Sequence, residues 1–114
     1  MADWKKIWER FESIPKPDRR LAHGRIYSKE QKCFCTVGLL ASVEPRAYPA
    51  LTTNGDYPIG YIMWEHYQLS LPECKRLAKV NDLHPDLSPE ERFKVMYEFV
   101  EHEYLDQATA PDTD

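Results

Sequence analysis

Twice in this chain a serine is followed by a proline in the next turn and a glutamate three residues on: Ser70-Leu71-Pro72-Glu73 and Ser88-Pro89-Glu90-Glu91. Each has the chemistry of a helix start. The serine hydroxyl accepts a backbone N–H that no helical carbonyl reaches, and the glutamate returns a bond to the serine N–H. Proline loses nothing where its absent N–H had no partner to find. The first start predicts a short helix through Val80 that Asn81 terminates. The second predicts the longest helix of the chain, to about Leu105, with Phe93, Met96, Val100 and Tyr104 on one face and Tyr97 and Phe99 beside it. Its other side carries Glu98, Glu101, Glu103 and Asp106.

The N-terminal half is less sharply marked. Asp3 caps a predicted helix whose Trp4, Ile7, Trp8 and Phe11 follow the spacing of one helical face, and Pro15 and Pro17 end it. Gly24-Arg25-Ile26-Tyr27 reads as a short extended piece. Ser28 with Gln31 has the pattern of another capping box, which predicts a helix over about 30–43. Pro45, Pro49, Pro58 and the turn-forming Asn54-Gly55-Asp56 predict a loop from Glu44 to Pro58. Residues 59–69 fit two templates. Ile59, Tyr61 and Met63 alternate as in a strand, while Ile59, Ile62, Met63 and His66 fall at helical spacing, and Pro58 as a first residue tips the balance toward helix. The expected architecture is mainly α: one compact domain over residues 1–107 with four to five helices, a short β element near 24–28 or 59–63, and a tail at 108–114.

With 114 residues there is material for one core, and 42% hydrophobic residues against 30% charged is far from a disordered composition. No apolar run approaches the roughly 20 residues that span a bilayer, and Asp3 and Trp4 stand where a signal peptide would be apolar. Three cysteines, an odd number, suit reduced thiols, so a cytoplasmic location is expected, without a membrane. The net charge of −4 is unevenly spread, with ten Lys/Arg against six Asp/Glu in residues 1–46 and five against thirteen in 47–114. That balance argues against nonspecific nucleic-acid binding, whose affinity comes largely from neutralising phosphates.

Cys33 and Cys35 head an apolar run, Phe34 to Ser42, and admit three readings. As zinc ligands they have the wrong spacing, a single intervening residue where a knuckle has two to four, and no second close pair supports a site with Cys74, His66 or His84. No metal and no cofactor is expected. As nucleophiles, a thiol at a helix N-terminus has a lowered pKa, and one of His23, His66 and His84, His84 foremost, with Asp82 or Asp86 to orient it, would complete a hydrolase pair. No motif of a thiol-hydrolase family surrounds either cysteine. As packing, both are small apolar side chains. Gly38 favours this last reading: glycine inside a helix costs about 1 kcal/mol relative to alanine, so a close approach of another element is expected beside Cys35 and Leu39. Asp82-Leu83-His84-Pro85-Asp86 could hold a cation or assist proton transfer, but reads more simply as a polar turn.

Phe34-Cys35-Thr36-Val37-Gly38-Leu39-Leu40, the preceding Gly24-Arg25-Ile26-Tyr27 and the later Asn81-Asp82 ahead of a last amphipathic helix resemble a family of small uncharacterised bacteriophage and bacterial proteins. That family carries a Cys-Cys-Leu-Gly-x-Leu motif, and the resemblance covers roughly residues 22–102. Thr36 stands where the second cysteine belongs, so a chemistry needing adjacent cysteines is absent here. The resemblance implies no catalytic residues and no cofactor; it implies a viral or mobile-element origin. The expected function is that of an accessory factor that binds a host protein and inhibits a defence or regulatory complex. Two surfaces are candidates: the acidic side of the last helix (Glu98, Glu101, Asp106), suited to a partner with a basic surface, and the 44–58 loop, with Tyr48 and Tyr57 as aromatic anchors. The alternative is a thiol-dependent hydrolase using Cys35 or Cys33 with a histidine.

Overall fold

The computed structural model describes residues 2–55 and 57–109. Among the described residues, six α-helices run in the order α1 (Trp4–Glu12), α2 (Thr36–Ala41), α3 (Tyr48–Thr52), α4 (Ile59–Tyr67), α5 (Leu71–Asn81) and α6 (Pro89–Thr109). A two-stranded antiparallel hairpin, β1 (Tyr27–Ser28) and β2 (Cys33–Phe34), lies between α1 and α2, with Tyr27 opposite Phe34 and Ser28 opposite Cys33. The chain is therefore mainly α, built around one core.

α1 and α6 form the long axis of that core. Asp3 caps α1 by accepting the Lys6 N–H at 3.2 Å, and Ile7 and Phe11 are fully buried. The two helices run antiparallel, since Trp4 meets Phe99 edge-on at 6.2 Å, while Phe11 meets Phe93 at 5.3 Å. Trp8 stacks on Tyr104 at 5.2 Å. Gln107 closes the end of the pair, its Oε1 accepting the Trp4 N–H and its Nε2 donating to the Ala2 carbonyl. Both expected capping boxes form: Ser70 Oγ accepts the Glu73 N–H while Glu73 accepts the Ser70 N–H, and Ser88 and Glu91 do the same at α6. α5 extends one residue past Val80, and Asp82 follows it as the C-cap. α6 runs beyond Leu105, so Ala108 and Thr109 of the expected tail are helical. Residues 110–114 of that tail lie outside the described residues.

Two expectations change. The helix predicted over 30–43 is instead the second half of a hairpin followed by the short α2. Ser28 Oγ does accept the Gln31 N–H, at 3.1 Å, but inside the loop 29–32, because a serine accepting from the third residue on closes a turn as readily as it opens a helix. Lys32, at φ 55°, leaves the right-handed region and ends any helix there. The loop predicted over 44–58 contains a 3-10 turn (Pro45–Ala47) and α3, with Ala47 and Leu51 fully buried. Pro45 and Pro49 each occupy the first turn of one of these short helices, so they start structure rather than break it. Asn54 does sit in a turn, at φ 53°, and its amide bonds both the N–H and the carbonyl of Tyr27 at 3.1 Å. Asp56, the last residue of the expected turn, lies outside the described residues. Of the two places offered for a β element, the strand forms at Tyr27–Ser28, and 59–63 belongs to α4.

Candidate functional site

Asn81 is the point where α2, α5, α6 and the segment before the hairpin meet. It is 2% exposed, and its Oδ1 accepts both the N–H of Thr36 at 3.0 Å and the Thr36 hydroxyl at 2.8 Å. Its Nδ2 donates to the Ala22 carbonyl at 2.9 Å and to Asp82 Oδ1 at 2.8 Å. Its backbone carbonyl accepts from Arg92 Nη1 at 2.6 Å. Arg92 is itself only 2% exposed and donates also to the Leu87 carbonyl. Thr36 is thus explained by what it bonds: the first and last parts of the motif quoted above meet in space, through a side-chain network with every polar atom of the Asn81 amide used.

Beside this network a pocket of about 350 Å³ opens between α2, α5 and the N-terminal turn of α4. Ile26, Val37, Ile59 and Ala78 form its apolar walls, Cys35 and Cys74 contribute sulfur, and Arg25, Lys75 and Asp82 supply charge. Cys35 is the N-cap of α2, and the Gly38 N–H donates to its Sγ at 3.5 Å. The nucleophile alternative needs a lowered thiol pKa for a cysteine in this place. Burial instead pushes the Cys35 thiol up, outweighing the bonds from Gly38 and Val37 that favour the thiolate. Burial raises the Cys74 and Cys33 thiols as well. The close approach expected at Gly38 is present: a Cβ there would stand 2.7 Å from the Ile26 carbonyl oxygen and 3.0 Å from the Phe34 ring.

His84 is exposed in the turn after α5, and no hydrogen bond or ion pair joins it to either cysteine. The histidine that approaches this region is His23, whose Nε2 lies 3.3 Å from the Asp82 carbonyl oxygen. Asp82 itself behaves as a turn residue, Oδ1 accepting the Gly24 N–H at 3.0 Å. Cys33 faces a different groove, of about 500 Å³, with Arg10, Arg20, Lys32, Phe34 and Tyr48. Among the described residues, no three of His, Cys, Asp and Glu gather as a metal site would need, and no helix is long and apolar enough to cross a membrane.

The two expected binding surfaces fare differently in space. Glu98 and Glu101 do share a groove, of about 510 Å³, but they share it with Lys16, Arg19 and Lys94. Arg19 lies over the Phe93 and Tyr97 rings at 5.7 and 5.8 Å. Asp106 stands roughly 140° round α6 from Glu101 and so belongs to another side of the helix. Glu103 pairs with Arg76 of α5 at 2.9 Å. Tyr48, at the start of α3, is 51% exposed and packs edge-on against Phe34 at 5.7 Å. Tyr57 is half-buried against the core and offers far less surface.

A feature that periodicity did not single out is the outer side of α4. Tyr61 is 67% and Trp64 56% exposed, one turn apart on the same side, while Ile62, Met63 and Tyr67 on the opposite side are buried. The usable signal was there: Tyr61 and Trp64 fall one turn apart on the side of the helix away from Ile62 and Met63. No family model, no curated protein and no solved structure matches this chain.

Proposed function

We propose that this protein is a protein-binding module whose contact face is the exposed side of α4. The observation that carries the reading is the pair Tyr61 and Trp64, two large aromatic side chains more than half exposed on a rigid helix. Tyrosine and tryptophan are the residues that most often dominate interface energies, because they bury much apolar area for little lost rotamer freedom and keep a polar tip. The partner offers an apolar patch to receive Trp64. That this partner is a host protein, and that binding inhibits a defence or regulatory complex in the host cytoplasm, rests on the resemblance to bacteriophage and bacterial proteins.

A second reading keeps the acidic side of α6 as the contact. Its support is that Glu98 and Glu101 form no ion pair among the described residues, although cations line the same groove. The thiol-hydrolase alternative draws nothing from the geometry, since the thiols are buried with raised pKa values and no histidine bonds to them.

The test is site-directed photo-crosslinking. Trp64→p-benzoylphenylalanine, irradiated in a bacterial lysate, is expected to yield one adduct of defined mass, and Glu98→p-benzoylphenylalanine none. An adduct from position 98 alone transfers the contact to α6. A crosslinked pair of copies of this chain makes the partner a second copy and overturns the host-protein reading.

A further inference from the structure

The pocket between α2, α4 and α5 has features that neither the packing of the core nor an interface on Trp64 uses. Gly60 is the first. A Cβ at this position would meet nothing within 4 Å, and the backbone is not in the left-handed region, so no neighbour and no turn requires glycine. A helical glycine still costs up to about 1 kcal/mol relative to alanine. Gly38 shows the contrast, since there the Ile26 backbone itself excludes a side chain. What the bare Gly60 leaves open is the pocket it lines.

Charge is the second feature. Arg25 and Lys75 line the same pocket, both exposed, and among the described residues neither side chain makes a hydrogen bond or an ion pair. The carboxylate facing them, Asp82, is already engaged by the Gly24 N–H and the Asn81 amide. The walls are apolar, and about 350 Å³ falls at the lower end of the roughly 300–1,000 Å³ typical of small-molecule sites. We infer that this pocket binds a small apolar carboxylate, its hydrocarbon part against Ile26, Val37, Ile59 and Ala78 and its anion between Arg25 and Lys75. The site is separate from the α4 contact face and stands or falls without it.

The probes are decanoate, decanol and decyltrimethylammonium, each titrated calorimetrically into the full chain below its micelle concentration. Decanoate is expected to bind tightest and the cation weakest. Lys75→Glu should weaken decanoate roughly fivefold, the size of a partly exposed charge pair reversed, and narrow the gap to the cation. Gly60→Leu adds a side chain whose Cβ meets nothing within 4 Å, and is expected to abolish binding of all three while leaving the melting transition intact. The cysteines supply an independent readout: decanoate should slow alkylation of Cys35 and Cys74 but not of Cys33, which lines the other groove. Equal binding of the three probes, undiminished binding to Gly60→Leu, or equal protection of all three cysteines would each overturn the assignment.

Discussion

The side-chain amide of Asn81 joins α2 and the segment before the hairpin to the end of α5, and its replacement isolates how much the fold depends on that junction. Asn81→Ala removes the acceptor for Thr36 and the donor to Ala22 at a site closed to water, so it is expected to destabilise the protein by about 3 kcal/mol, read from urea unfolding midpoints. Two glycines make an opposed pair. Gly38→Ala forces a Cβ against the Ile26 carbonyl and should cost about 2 kcal/mol, whereas Gly60→Ala meets nothing and should stabilise α4 by about 0.5 kcal/mol. The buried acids set a pH dependence. Burial raises the Cys35 thiol above its ordinary value of 9.0 and pushes Tyr67, whose hydroxyl donates to the Leu40 carbonyl, up to about 12. For groups held neutral in the fold, stability is full below the unfolded pKa and is lost as pH rises through the folded one. Unfolding midpoints should therefore be flat near neutral pH and fall above about pH 9, with a shallower fall in Cys35→Ala.

At the scale of elements, the helix starts and the aromatic seam share the load. Ser70→Ala and Ser88→Ala each remove one half of a formed capping box and should cost about 1 kcal/mol in thermal or urea unfolding. A double-mutant cycle on Trp8 and Tyr104, the stacked pair between α1 and α6, should show a coupling of about 1 kcal/mol. These elements were legible in the sequence, because Asp3, Ser70 and Ser88 announce their helices by local chemistry and the apolar faces follow at the right period. Ser28 shows where such reading stops. Its bond to Gln31 is local and correctly anticipated, yet only the pairing of Cys33 and Phe34 with the preceding strand decides that the bond closes a hairpin. Pro45 and Pro49 fail for a similar reason, since a proline that starts a one-turn helix and one that breaks a longer helix look alike until Ala47 and Leu51 are seen to reach the core.

For the molecule as a whole, function depends on which side chains converge, and this the one-dimensional pattern carried least. Cys35 and Asn81 stand 46 positions apart and line one pocket with Cys74, while Cys33, two positions from Cys35, faces another. The acidic residues of α6 looked like one surface and are divided by helical rotation and by the cations of the N-terminal segment. Trp64 and Tyr61, which the helical spacing of Ile59, Ile62 and Met63 leaves aside, stand outside the core. The account therefore rests on an aromatic contact, and comparative capture tests it most directly. The tagged protein, its Trp64→Ala variant and its Glu98→Lys/Glu101→Lys variant are incubated with bacterial lysate and washed at moderate salt, and the retained proteins are compared by mass spectrometry. Capture of one protein by the wild type and the charge-reversed variant, with loss in Trp64→Ala at unchanged stability, is the result predicted. Retention by Trp64→Ala with loss on charge reversal would contradict it and move the function to α6.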